Sequence, residues 1–469
     1  MLKLGGISIV VLVILVFQIF SVSGYVYKTP HLKRTKFRRD GSLFLTPLIE
    51  NRNIPLARQL SKVASFVPDV NVDSYAGYLT VNKTYNSNLF FWFFKSQTNW
   101  KESPVAVWLQ GGPGYSGLYG LFNELGPYEI REDGLVSREY SWNRECNLIF
   151  IDSPVGTGYS FTKSIQGFAR NQEDVGNDLY VAMVQILQMF PEIQNAPFYI
   201  TGESYAGKYI PALGYAIHKN NPKSSLKINL QGLFIGNGLT DPENMIPMYG
   251  EVLYNLGFID FNQRNEFENL QNLAVEAIRG EKWVDAAIYY AKLIIGYRFY
   301  PYPTLYTNLT GLETYYNYFA ENSAKWLEFE EEFVRSAAFR GAVHVGDVAR
   351  DDGRNTELFL MEDIAKSVIG WVEELVEHYK VVFYNGQLDL ICAYPLTENF
   401  LRKMEWSGAE KYRNCSRRQW VVDGELAGYV RTVGNLSDVL VRNAGHMVPT
   451  DQPKWAYQLF NNFVHDRDW

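Results

Sequence analysis

The chemistry of this chain is concentrated in a few short runs, and the most informative is Phe198-Tyr-Ile-Thr-Gly202-Glu203-Ser204-Tyr205-Ala206-Gly207. An apolar, β-prone stretch enters a tight turn, small residues flank a serine, and a helix-forming stretch follows at once. Such a turn lifts a serine hydroxyl above a sheet edge, and the helix start aims backbone N–H groups at a developing oxyanion. The pattern G-x-S-x-G is imperfect here because Ala206 stands where the second glycine belongs. The plainer alternative is an ordinary serine capping a helix.

A nucleophilic serine needs a base, and the chain has six histidines: His31, His218, His344, His378, His446 and His465. Only His446 follows a strand-like run in a loop bounded by small and rigid residues, Asn443-Ala-Gly445-His446-Met447-Val-Pro449. An acid to orient the imidazole is expected between the two, on a loop after a strand, and Asp389 in Tyr384-Asn-Gly386-Gln-Leu-Asp389 meets that condition. The order Ser204, Asp389, His446 is that of the α/β-hydrolases.

The elements that must carry these residues are legible as apolar runs ending in Gly-rich turns. Val105–Leu109 ends at Gly111-Gly112-Pro113-Gly114, Leu148–Ile151 at Asp152-Ser153-Pro154, Phe198–Thr201 at Gly202, Leu230–Ile235 at Gly236-Asn237-Gly238, and Val381–Tyr384 at Asn385-Gly386. Runs without polar alternation predict parallel strands covered on both faces. The spacing predicts helices over 173–190 and 205–218, giving an α/β class with a mostly parallel sheet flanked by helices. From Asp241 to His344 strand signals vanish and helical segments take over, which predicts a helical insertion over the catalytic end of the sheet. The expected layout is a leader over 1–24, an N-terminal extension or propeptide over 25–70, hydrolase core over 71–240 and 345–469, and the insertion between.

Composition fits this reading. In 469 residues, 51 acidic and 44 basic side chains leave a net charge of −7, which speaks against nucleic acid or an anionic membrane as partner. The apolar run Ile7–Phe20 after Lys3, followed by Ser21, Ser23 and Gly24, reads as a secretory signal peptide, being short for a membrane span. The basic cluster Lys33, Arg34, Lys36, Arg38 and Arg39 marks either a solvated tail or a trimmed propeptide. Sequons at Asn82, Asn308, Asn414 and Asn435 agree with a glycoprotein that is secreted or lysosomal. Of three cysteines, Cys146 reads as a buried thiol, while Cys392 and Cys415 are either a disulfide or both free. Neither a metal nor a cofactor is expected, since no His-x-x-x-His or paired-cysteine spacing occurs and the triad chemistry needs none.

Three runs, Trp108-Leu-Gln110-Gly111-Gly112-Pro113-Gly114, Gly202-Glu203-Ser204-Tyr205-Ala206-Gly207 and Gly445-His446-Met447-Val448-Pro449, resemble the signature motifs of the serine carboxypeptidases. Ile151-Asp152-Ser153-Pro154 with Gly156, Gly158, Tyr159 and Ser160, and Gly236-Asn237-Gly238, fit as well, so the likeness runs from about Ser74 to Phe463. Gln110 in place of the commoner asparagine, with Asn385-Gly-Gln-Leu-Asp389, is most similar to the vitellogenic-carboxypeptidase-like branch. Tyr115 departs from the small residue or cysteine usual after the glycine run. The resemblance implies Ser204 as nucleophile, His446 as base and Asp389 as its orienting acid. It also implies an oxyanion hole from the N–H groups of Gly112 and Tyr205, and a site for the substrate's C-terminal carboxylate made by Gln110, Gly111, Glu124 and Glu203.

Two glutamates are unusual ligands for an anion. If Glu124 and Glu203 lie together they share a proton, and the protonated carboxyl can donate to a carboxylate that two anions would repel. Selectivity for peptides or proteins with a free C-terminus and an acidic optimum then have one cause. The plainer alternative for Glu203 is an acid favoured by a helix N-terminus. An esterase or acyltransferase using the same triad, and a non-catalytic binding protein on a hydrolase scaffold, are the competing functions.

Overall fold

The computed structural model describes residues 41–469, apart from 69, 71, 132–133, 321–323 and the side chains of 324–329. The expected leader and the basic cluster between Lys33 and Arg39 lie outside the described residues.

Each predicted apolar run forms a strand of one eleven-stranded sheet. In chain order its strands are β1 (Lys62–Val63), β2 (Ser74–Asn82), β3 (Ser87–Phe94), β4 (Val105–Leu109), β5 (Asn147–Ile151), β6 (Phe198–Glu203), β7 (Leu230–Gly236), β8 (Lys380–Gly386), β9 (Arg418–Val422), β10 (Glu425–Val433) and β11 (Leu436–Val441). The spatial order is β1-β2-β3-β5-β4-β6-β7-β8-β11-β10-β9. The six strands from β5 to β11 in that order pair in parallel, and antiparallel strands extend both flanks. The chain is an α/β-hydrolase fold.

Both faces of the parallel centre are buried, which is why its strands lack polar alternation. Val105, Val107 and Leu109 of β4 join one apolar cluster, with Leu179, Met183 and Ile186 of α1 (Gln172–Met189) and Leu213 of α2 (Ala206–Asn220). Ala106 and Trp108 face the other way, into a cluster with Trp142, Phe234 and Phe460. Each helix covers about a hundred degrees of apolar face, as the sequence periodicity requires. All three cysteines are free; Cys146 and Cys392 are buried and Cys415 is half-buried.

The stretch read as a terminal extension differs from a solvated tail over its described part. Leu45, Ile49, Ala57 and Val63 are buried, and Leu45 N–H donates to Tyr78 O at 2.9 Å. Apolar residues spaced along Thr46–Glu50 and Ile54–Ser61 give these short helices a face to bury.

Among the described residues between Gly236 and Lys380 the chain adds no strand to the main sheet. It forms α3 (Phe261–Arg279), opened by a reciprocal Asp260 and Gln263 cap, then α4 (Trp283–Tyr290), which continues as a wider turn over Ala291–Ile295. Ile295–Arg298 and Tyr315–Tyr316 from this segment line a cavity together with Ser204 and His446.

Candidate active site

Ser204 sits at the turn from β6 into α2 with φ of +62°, a region that side chains bearing a Cβ rarely adopt. Its backbone is held on both sides: its N–H donates to Gly236 O at 2.9 Å, and its carbonyl accepts from Gly207 N and Leu239 N, each at 2.9 Å. The alanine that breaks the short motif has a spatial reason. A Cβ added at Gly202 would lie 2.1 Å from Leu109 O and 3.0 Å from the Ala206 methyl, so Gly202 leaves the room in which that methyl sits. Another close approach of backbones lies one residue past Ala206, where a Cβ at Gly207 would stand 2.7 Å from Gly238 Cα.

The structure brings the three triad candidates to the same end of the sheet. His446 Nδ1 lies 2.8 Å from Asp389 Oδ2. The opposite ring nitrogen, Nε2, is buried with no hydrogen-bond partner among the described residues, and His446 and Ser204 line one cavity of about 250 Å³. The backbone N–H of His446 donates to Tyr316 O at 2.6 Å, which ties its loop to the insertion. Asp389 is fully engaged: Oδ1 accepts from Ile391 N at 2.8 Å and Cys392 N at 3.2 Å, while Oδ2 also accepts from Asn237 Nδ2 at 2.6 Å. Donors to both oxygens fix the carboxylate in place. Asn237 was visible in the sequence as a turn residue, with nothing there to show that its amide meets Asp389.

Gly112 and Tyr205 both line the cavity space beside Ser204, and neither backbone N–H has an intramolecular acceptor among the described residues. The loop carrying Gly112 is braced by Asp152, whose Oδ1 accepts from Ser116 Oγ at 2.5 Å and Gly117 N at 3.0 Å and whose Oδ2 accepts from Tyr159 N at 2.7 Å. Two unspent N–H groups near a serine can stabilise a tetrahedral oxyanion.

The remaining candidates meet at the cavity floor. Gln110 accepts from Trp108 Nε1 at 2.7 Å, which fixes its amide so that Nε2 points to Glu203 Oε1 at 2.8 Å and Glu124 Oε1 at 3.2 Å. Gln110, Gly111 and Glu203 line the cavity, and Glu124 lies behind them, buried. Glu124 reaches this place from a wide helical turn, Gly120–Leu125, pressed against β4: a Cβ at Gly120 would collide with the Trp108 indole. The turn's end is tied by Arg138, which donates to Phe122 O at 2.6 Å and Gly126 O at 3.1 Å. Arg138 had no signal in the sequence.

Electrostatics follow from burial. Desolvation pushes the Glu124 carboxyl up to about 7, and it pushes Glu203 well above the usual carboxylate range, helped by the neighbouring charge of Glu124. Glu124 Oε2 is buried and has no hydrogen-bond partner among the described residues.

The sequon asparagines do not line the cavity; Asn308, Asn414 and Asn435 are exposed and Asn82 is half-buried. Among the described residues no helix is long and apolar enough to cross a membrane.

Comparison with known proteins agrees with the geometry. A family model described as serine carboxypeptidase matches residues 65–466. The chain is 48% identical to the venom serine carboxypeptidase of Apis mellifera, covering 91% of each chain. It is 42% identical to the vitellogenic carboxypeptidase of Aedes aegypti, over 97% of this chain and 98% of that one. It is also similar to the structure of Kex1, a prohormone-processing carboxypeptidase from Saccharomyces cerevisiae, with a TM-score of 0.73 and 26% identity over 87% of this chain and 96% of that one.

Proposed function

The chain belongs to the serine carboxypeptidase family and is a serine-type carboxypeptidase, and from that premise we propose how its own residues divide the work. Ser204 attacks the scissile carbonyl, His446 Nε2 takes its proton and passes it to the leaving amine, and Asp389 holds the ring with Nδ1–H toward itself. The N–H groups of Gly112 and Tyr205 receive the oxyanion. An acyl-enzyme forms on Ser204 and water releases it by the reverse route.

The observation that carries the substrate assignment is the cluster of Gln110, Glu203 and Glu124 at the floor of the cavity that holds Ser204. A carboxylate entering there meets the Gly111 backbone N–H and takes over one of the hydrogen bonds that the Gln110 amide and the proton held by Glu203 and Glu124 make within the floor. The substrates are peptides or proteins with a free C-terminus, and the protonated floor makes cleavage an acid-pH activity. The sequons, three of them at exposed asparagines, and the apolar leader support a secretory-pathway enzyme, secreted or lysosomal.

The test compares one peptide with a free and with an amidated C-terminus, on the wild type and on Ser204→Ala. The free peptide should be cleaved at least about a hundredfold better in kcat/KM at pH 5, and Ser204→Ala should lose at least about a thousandfold in kcat. Equal rates on the two peptides would remove the carboxylate site, and a few per cent of activity left in Ser204→Ala would remove the nucleophile.

A further inference from the structure

A serine held at φ of +62° persists only if the surroundings over-determine it. On its N-terminal side β6 does this through the sheet. On its C-terminal side the next residue is Tyr205, whose backbone N–H is one of the two proposed oxyanion donors and whose side chain runs away from the cleft into the protein. The Tyr205 hydroxyl donates to Asp363 Oδ2 at 3.1 Å. That same oxygen receives Gln172 Nε2 at 2.6 Å and Lys208 Nζ at 3.0 Å. The Lys208 ammonium also donates to the backbone carbonyls of Asp363 and Ile364, and it lies 5.3 Å from the centre of the Tyr205 ring.

Every member of this group is buried, with the Lys208 and Asp363 side chains 0% and 4% exposed. Gln172 opens α1, Lys208 lies in the first turn of α2, and Asp363 is delivered by the Met361–Ile364 turn beyond the insertion. A second strap joins the same parts: Val368 N donates to Thr240 O and Thr240 Oγ1 donates to Gly207 O, each at 3.1 Å. A buried ion pair contributes little net stability compared with apolar residues of similar size, because desolvation opposes the Coulomb gain. What it does contribute is one permitted arrangement of the groups that satisfy it.

Resting on the reading that Tyr205 N–H receives the oxyanion, we propose that Asp363 is a positioning residue for the hydrolysis. With Lys208 it clamps the Tyr205 side chain, and through it fixes the peptide that follows the strained serine. An oxyanion donor must stand within a few tenths of an ångström of the oxygen it will meet, so a loosened Tyr205 costs rate and leaves ground-state binding alone.

Two variants test this. Tyr205→Phe removes one hydroxyl and keeps the backbone amide; Asp363→Asn keeps the shape and removes the charge. Steady-state kinetics are normalised to active sites counted with a fluorophosphonate, and the affinities of a peptidyl boronate and of a product peptide with a free C-terminus are measured alongside. In both variants kcat per titrated site should fall about tenfold or more, with KM within about twofold, and the boronate should bind about tenfold more weakly while the product peptide binds as before. A purely structural role would lower Tm and the number of titratable sites and leave kcat per site unchanged. If Tyr205→Phe keeps kcat per site within about twofold of wild type while Ser204→Ala is inactive, the clamp is refuted and the catalytic reading stands. If Ser204→Ala is itself active, the underlying reading fails first. Should Asp363→Asn not fold, Tyr205→Phe decides.

Discussion

Glu124 and Glu203 face one another across a single side-chain amide: Gln110 Nε2 lies 3.2 Å from Oε1 of the first and 2.8 Å from Oε1 of the second. One NH₂ group offers two protons, one to each carboxyl, and the Trp108 indole prevents the amide from turning over. Burial raises both carboxyls, and in the proposed function they share one more proton between them.

Activity on a free C-terminus should therefore be highest at acidic pH and decline as that proton leaves, chiefly through a rising KM. Glu203→Gln donates at any pH and should flatten the alkaline rise in KM while leaving the nucleophile in place. KM and kcat against pH, for a free and an amidated peptide on both proteins, check this. Identical wild-type profiles for the two peptides would separate the glutamates from C-terminus recognition.

The same shifts make a statement about stability. Glu124 is raised in the folded protein, to about 7, above its unfolded value of 4.5. The folded state thus binds the proton more tightly, and the contribution is fully present below about pH 4.5. It is lost as pH rises through about 7, and Glu330, raised by burial to about 7, acts in the same direction. Tm should fall from pH 5 to pH 8, and the fall should be smaller in Glu124→Gln. A Tm for Glu124→Gln that tracks the wild type over this range would count against the buried proton.

Asn237 donates to Asp389, the proposed acid of the triad, and its φ of +43° suits glycine. Asn237→Gly removes the amide without adding strain. It should lower kcat about tenfold through a less firmly held Asp389, with KM nearly unchanged and Tm lowered modestly. Wild-type kcat in this variant would show that the backbone donors at Ile391 and Cys392 suffice.

At the elbow, Ala206→Gly restores the short motif. It should keep kcat within about threefold and cost up to about 1 kcal/mol from helix propensity. Gly207→Ala should be far more harmful, because its Cβ meets backbone at Gly238 and Leu239, each at 2.7 Å. Activity and thermal melts of the pair decide which position carries the close packing; an active, stable Gly207→Ala would overturn this account.

The parallel centre of the sheet was legible because its strands are buried on both faces and end in Gly-rich turns. The flanking strands differ in burial and not in punctuation: Arg418–Val422 also ends in a turn, Asp423-Gly424, but it alternates exposed and buried residues and belongs to an antiparallel edge. Ser204, His446 and Asp389, the proposed triad, could be chosen from local context and chain order, and they lie at one end of the sheet. Their supports could not, because each depends on a partner far away in sequence: Asn237 meets Asp389 across 152 residues, and Tyr205 meets Asp363 across 158. Periodicity reports the face a residue occupies and is silent on which distant side chain shares it.

The closed floor beside Ser204 also sets the course of a whole digestion. Cutting one residue from the end leaves a shortened chain that ends in the same carboxylate, so every product is a new substrate. Starting from one peptide, the enzyme generates a ladder of lengths, and the rungs that accumulate are those whose next terminal residue fits the cavity poorly. Selectivity is then written in where trimming stalls, and the composition of the mixture at any moment records the residues the cleft refuses.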